Sequence, residues 1–164
     1  MQYPVCPTPP LETLELRGRL RELPEWLPAL HGLTRLYLRW SRIKNDPLIS
    51  LQNLPYLMEF ELSHAYEGDK LCFGASGFQK LKKLWLLSLN RLRLVIVEKG
   101  SMPLLQELYM SGCKSMEEVP SGMQHLASLQ YMDFSDMAEG FVTKIESQRE
   151  GGDKWNLNSK RKWM

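Results

Sequence analysis

The sequence is poor in cysteine and lacks every common marker of secretion, membrane insertion or catalysis. Its 164 residues hold three cysteines, Cys6, Cys72 and Cys113. An odd, sparse and widely spaced set is not the framework of a disulfide-stapled domain. No Asn-x-Ser/Thr sequon occurs, so there is no N-glycosylation acceptor. The opening residues, Met1 to Cys6, carry neither the positive nor the apolar region of a signal peptide. No apolar run approaches the roughly 18 residues of a membrane-spanning helix. Also missing are His-Glu-x-x-His, Gly-x-Ser-x-Gly, Cys-x-x-Cys and the phosphate loop Gly-x-x-x-x-Gly-Lys-Ser/Thr. His31, His64 and His125 are far apart, so structural or solvent roles are expected for each. These absences argue against an enzyme, a metal site and a bound cofactor. They point to a cytoplasmic protein, with the nucleus as a second compartment.

Charge of one sign is also scarce. The formal net charge is +2, too little for whole-surface attraction to nucleic acid or membrane. From Lys144 to Met164 there are six Lys or Arg against three Asp or Glu. The basic excess therefore lies in the tail, at Lys160, Arg161 and Lys162, where a solvated end is the simplest reading.

What the sequence does have is a repeat. The pattern Leu-x-x-Leu-x-Leu, tolerating Met and Phe, begins at residues 11, 33, 57, 81, 105 and 129, with spacings of 22 and then 24 throughout. Six such triplets in register, at a period within the roughly 20–29 residues of leucine-rich repeats, are hard to obtain by chance. The Leu-x-Leu core alternates, so one face of a short strand points inward. One unit cannot bury that face alone, whereas stacked units share a continuous core. The expected fold is an α/β solenoid of about six repeats. It would be a horseshoe with a short parallel sheet on its concave face and an irregular, partly helical convex side.

The organisation follows from the repeat. Residues 1–10 contain four prolines and form an extended lead-in. Residues 11–145 are the repeat domain, and 146–164 a polar, basic tail broken by Gly151-Gly152. Segment 63–77 lacks the strict pattern and is expected to be a longer loop with Leu71 and Phe73 tucked in, Cys72 packing beside them. Leu92–Val97 is an expected extra strand on the outer side. Phe141, Val142 and Ile145 are expected to close the core as a short helix. Cys113 takes the ninth position of its unit, where such repeats place Asn or Cys to satisfy the bend. Arg19, Ser41, Ala65, Leu89 and Met137 hold that position elsewhere, which predicts an irregular solenoid. No polar cap precedes Leu11. This suggests a longer architecture upstream and an exposed edge prone to self-association.

Residues beside the inward leucines face the concave surface. Tyr37, Trp85, Tyr109 and Tyr131 would place large rings there, and Tyr, Trp and Arg are common interface anchors. Arg17, Arg35 and Arg39, with Trp40, are expected to form a basic aromatic patch. Glu59 and Glu61 follow in the next unit, with Lys83 and Asp133 further along, so the charge sign alternates as suits a particular protein surface. These same rings can instead stabilise the sheet by cross-strand contact or dock on another domain. The acidic neighbours argue against nucleic acid as a partner.

In combination, four stretches resemble the C-terminal repeats of plant nucleotide-binding leucine-rich-repeat disease resistance proteins of the coiled-coil class. They are Leu20-Arg-Glu-Leu-Pro-Glu-Trp-Leu27, Leu36-Tyr-Leu-Arg-Trp-Ser-Arg-Ile43 with Asp46-Pro47-Leu48, Gly77-Phe-Gln-Lys-Leu-Lys-Lys-Leu84, and Met102 to Leu108 running on to Cys113 through Gly122. Arg149-Glu-Gly-Gly-Asp-Lys-Trp155 is similar to the tail of cereal members. The resemblance implies an intracellular immune receptor. In that family the repeats recognise pathogen effectors or dock on host domains of the same receptor. ADP or ATP binds in a separate nucleotide-binding domain whose motif this chain does not contain. The alternative is the substrate-receptor scaffold of a ubiquitin-ligase adaptor, which would bind protein through the same face.

Overall fold

A computed structural model of the chain describes residues 9–147 and the backbone of the strand Trp155–Asn158. Five of the six leucine triplets coincide with a strand whose inward residues are buried. The strands of the main sheet are β1 (Thr13–Arg17), β2 (Arg35–Arg39), β3 (Glu59–Ser63), β5 (Lys83–Leu87), β7 (Glu107–Ser111), β8 (Tyr131–Ser135) and β9 (Trp155–Asn158). They pair in parallel in the order β1-β2-β3-β5-β7-β8-β9. Within the repeats the register equals the period: Leu14 lies beside Leu36, Phe60 beside Leu84, Leu108 beside Met132. Each turn of the coil therefore stacks one inward apolar side chain on the next. Leu36, Leu38, Phe60, Leu62 and Leu86 are wholly buried, each contributing about 1.5–3 kcal/mol over the exposed state.

The first triplet departs from this pattern. Leu11 is half-exposed and Leu14 and Leu16 only partly buried, because nothing among the described residues stacks on their outer side. At the other end α2 (Glu139–Ser147) buries Phe141 and Ile145 against the last turn, with the Phe141 and Phe134 rings edge to face at 5.1 Å. The expected closing helix is present there. The tail then contributes β9, paired with β8 from Met132 to Ser135, so part of segment 146–164 joins the sheet. The proline lead-in before residue 9, the Gly151-Gly152 break and the basic run Lys160–Lys162 lie outside the described residues.

The convex side is irregular. It has 3-10 turns at Leu27–Ala29 and Met123–His125 and a single helical turn, α1 (Leu48–Leu51). Segment 63–77 is not simply a loop. It contains β4 (Lys70–Phe73), which pairs in parallel with β6 (Leu94–Val97) to make a second, two-stranded sheet. Leu71, Phe73, Val95 and Val97 point inward and are buried. Cys72 does not pack with Leu71 and Phe73 as expected. Strand alternation turns it to the opposite side, where it is half-buried with Sγ 3.8 Å from Glu98 Oε1. The outer sheet continues by single bridges to Ser121 and, one unit earlier, between Ile43 and Tyr66. Gly122 follows at φ +83°. A Cβ there would lie 1.8 Å from the Val97 carbonyl oxygen, so backbone fills the space a side chain would need.

The ninth-position ladder is buried. Ser41, Ala65, Leu89 and Cys113 have no exposure, while Arg19 at the bare end is exposed. The Cys113 thiol donates to the Leu86 carbonyl at 3.7 Å, and burial pushes its pKa up to about 11. One residue after each main-sheet strand of the repeats, the backbone enters the left-handed region: Gly18, Trp40, His64, Ser88, Gly112 and Asp136. Five of these N–H groups donate to the last strand residue of the next unit, for example Trp40 to Ser63 at 2.9 Å and His64 to Leu87 at 3.0 Å. The ladder thus runs one residue past the strands while the chain turns away. For a non-glycine residue that conformation costs about 1–2 kcal/mol.

Candidate protein-binding face

Three rows of side chains run across the strands on the face opposite the leucines. The middle row is Glu15, Tyr37, Glu61, Trp85, Tyr109 and Asp133, each beside the next in register. Thr13, Arg35, Glu59, Lys83, Glu107 and Tyr131 form the row before it, and Arg17, Arg39, Ser63, Leu87, Ser111 and Ser135 the row after. Strand pairing brings together Arg17, Arg35, Tyr37, Arg39, Glu59, Glu61, Lys83, Trp85, Tyr109, Tyr131 and Asp133, as expected from the sequence. It does not bring Trp40 there. The left-handed turn after β2 carries that ring to the rim, where it stacks on His64 at 3.8 Å.

Of the basic patch expected at Arg17, Arg35 and Arg39, Arg39 is paired with carboxylates across the strands and Arg17 within its own strand, while Arg35 meets a neutral hydroxyl. Arg39 donates to both Glu61 oxygens at 2.7 and 2.9 Å and to Glu15 at 2.9 Å. Arg17 lies 3.6 Å from Glu15, and Arg35 donates to the Thr13 hydroxyl. Glu61 is buried. Its burial is tolerable because the guanidinium fork meets the carboxylate with two bonds. The Glu61 bond, foremost, holds the Arg39 pKa well above its ordinary value. The Arg39 guanidinium also lies 5.4 Å from the Tyr37 ring centre, within cation–π range. Charges alternate in sequence, but in space they close on one another.

The rings are half-buried rather than freely exposed. Trp85 and Tyr109 stack almost parallel at 5.5 Å, and Tyr109 and Tyr131 are tilted at 5.4 Å. Tyr37 and Tyr109 donate to Glu59 and Glu107, both at 2.6 Å, and Tyr131 to Asp133 at 3.5 Å. Burial, then the bond to Glu59, pushes the Tyr37 phenol up to about 12. Burial and Glu107 likewise raise that of Tyr109. Both remain hydrogen-bond donors across the physiological range. Glu15 and Glu107 fall on concave positions that the repeat defines, although they are not among the contact residues expected from the sequence. Each is one repeat from a partner, Arg39 or Lys83 (3.3 Å), so the period itself was the available signal. The face thus has a polar, internally paired half on β1–β3 and an aromatic half on β5–β8. Among the described residues no group of three or more His, Cys, Asp and Glu could hold a metal ion. No helix there is long and apolar enough to cross a membrane.

A coil that returns every 24 residues, lays one short strand per turn into a parallel sheet and stacks leucine beneath it is a leucine-rich-repeat solenoid. The chain belongs to the leucine-rich repeat region family, which matches residues 2–149. It is 36% identical over 141 residues to the disease resistance protein RPM1 of Arabidopsis thaliana, covering 86% of this chain and 15% of that protein. The probable disease resistance protein RF45 of the same plant is 33% identical over 151 residues, 90% of this chain and 14% of the relative. Disease resistance protein RPP8, also from Arabidopsis thaliana, is 28% identical over 136 residues, 82% and 15% respectively. The chain spans about 15% of the length of these curated relatives. It is a repeat region homologous to that of plant disease resistance proteins.

Proposed function

We propose that this repeat region is the recognition arm of an intracellular plant immune receptor, acting in the cytoplasm or nucleus. Its concave face binds a protein: a pathogen effector, or a host domain of the same receptor that it holds in check. The observation that carries this reading is the aromatic half of the face, where Trp85, Tyr109 and Tyr131 form a continuous half-exposed surface beside Leu87. Trp and Tyr are the residue types most enriched among interface anchors, and these rings are already ordered by stacking. The relatives named for disease resistance favour a receptor over a ubiquitin-ligase adaptor.

The test is affinity capture from infected and uninfected plant tissue, followed by calorimetry with the purified partner. The parent chain is compared with a Tyr37→Ala, Trp85→Ala, Tyr109→Ala variant shown by circular dichroism to stay folded. Loss of a captured partner, with Kd raised roughly thirtyfold or more, is the expected result. Equal binding by parent and variant would refute the concave face as the recognition surface.

A further inference from the structure

The rim beyond the strand ends carries a cavity walled by stacked rings, apart from the concave face. Of the six left-handed positions after the strands, two are glycine and two are the small residues Ser88 and Asp136. The other two are Trp40 at φ 59° and His64 at φ 49°. A bulky side chain such as Trp40 seldom adopts this conformation, whereas His tolerates it; away from the strand ends Arg21, Arg42, Phe78 and Met102 share it. Trp40 and His64 lie on adjacent turns of the coil, and their rings stack at 3.8 Å and 12°. Trp40 nevertheless remains 53% exposed, so the stack does not serve to bury the indole.

The stack forms one wall of a cavity of about 190 Å³ whose other walls include Arg42, Glu67, Asn90 and Arg91. Arg42 is paired with Glu67 at 3.2 Å. The Arg91 guanidinium and the Asn90 amide are exposed and have no side-chain partner among the described residues. Desolvation lowers the His64 pKa, so the ring stacks neutral and adds no charge. Among the described residues the cavity thus offers one uncompensated cation, an amide and an open indole.

Its volume is below the roughly 300–1,000 Å³ of small-molecule and cofactor sites. A single cation beside an existing carboxylate does not suit a multiply charged phosphate. We infer that this rim pocket receives one acidic side chain, Asp or Glu, of a protein partner, its carboxylate on Arg91 and the adjoining residue of the partner packed on Trp40.

The test is a nuclear magnetic resonance titration of the isotope-labelled full chain with acetyl-Glu-Phe-amide, against acetyl-Gln-Phe-amide. The expected result is a saturable shift of the Trp40 indole N–H and the Arg91 side chain with the glutamate peptide. Affinity should fall roughly tenfold with the glutamine peptide and in Arg91→Ala. Trp40→Asn, a residue that tolerates the left-handed turn, should also lose the shift at Arg91. Absence of saturation, equal affinity for the two peptides, unchanged binding by Arg91→Ala, or shifts confined to Trp85 and Tyr109 would each overturn the proposal. Arg91 is exposed and unpaired among the described residues, so its substitution should leave the fold intact and remains decisive if Trp40→Asn does not fold.

Discussion

At the scale of the residue, Cys113 shows how burial converts a reactive group into a structural one. Its thiol is enclosed and bonded to the Leu86 carbonyl, and its pKa rises from 9 to about 11 because the thiolate would be desolvated. The raised value means that folding favours the protonated form. The stabilisation is complete below pH 9, the unfolded value, and is lost as pH rises towards 11. Two units correspond to roughly 3 kcal/mol. Urea denaturation of the parent and of Cys113→Ala, followed from pH 8 to 11, should show the parent losing about that much more stability. Parallel pH curves would contradict it. Native Cys113 should also react with a thiol reagent at pH 8 more slowly than half-buried Cys72, whose own thiol is held up by partial burial and by Glu98.

At the scale of the element, neighbouring strands hold one another through pairs one repeat apart. Glu61 is buried and depends on Arg39. Arg39→Met should cost about 2 kcal/mol, because it leaves a buried carboxylate unpaired. Adding Glu61→Leu should recover most of that loss, since a hydrophobic pair needs no compensation. A double variant no more stable than Arg39→Met would show that the pair is incidental. The closing helix α2 makes a different contribution. Phe141 is fully buried against Phe134, and Phe141→Ala should cost about 3–5 kcal/mol. Hydrogen exchange should then rise first in β8 and least in β2, because stability in a stacked coil passes only between neighbours. Uniform acceleration across all strands would count against this. Strand positions and register were legible from the period alone, and the helix that closes the core from the apolar spacing of Phe141, Val142 and Ile145. The β4 strand was not, because Lys70–Phe73 is short, lies in a Gly- and charge-rich segment and gains its partner only when the coil places it beside β6. The destination of Trp40 was not legible either, since it depends on a positive φ imposed by the turn rather than on strand alternation.

For the molecule as a whole, the two ends are unequal. α2 covers the last turn, whereas the outer edge of β1 faces no other strand among the described residues and leaves Leu11 half-exposed. An unpaired edge with an apolar residue beside it is a template for association. Sedimentation should reveal concentration-dependent self-association that Leu11→Lys weakens. A parent chain that stays monomeric at high concentration would dispose of this prediction. The candidate face was legible as a list of positions, but its electrostatics were not. Arg39 and Glu61 read as successive patches of opposite sign, yet parallel pairing sets Glu61 beside Tyr37 and diagonal to Arg39, whose side chain reaches across to join it.

That in-register pairing also makes the face a ruler. Equivalent side chains recur once per strand, about 4.8 Å apart, and the five intervals from β1 to β8 span about 24 Å. One turn of an α-helix rises about 5.4 Å, so a helix laid across the strands offers roughly one side chain to each. The mismatch of about 0.6 Å per turn stays small over Trp85, Tyr109 and Asp133. An extended segment, whose same-face residues lie about 6.8 Å apart, falls out of step at once. A stapled helical peptide with one apolar residue per turn should therefore bind more tightly than the same residues in an extended, proline-interrupted peptide.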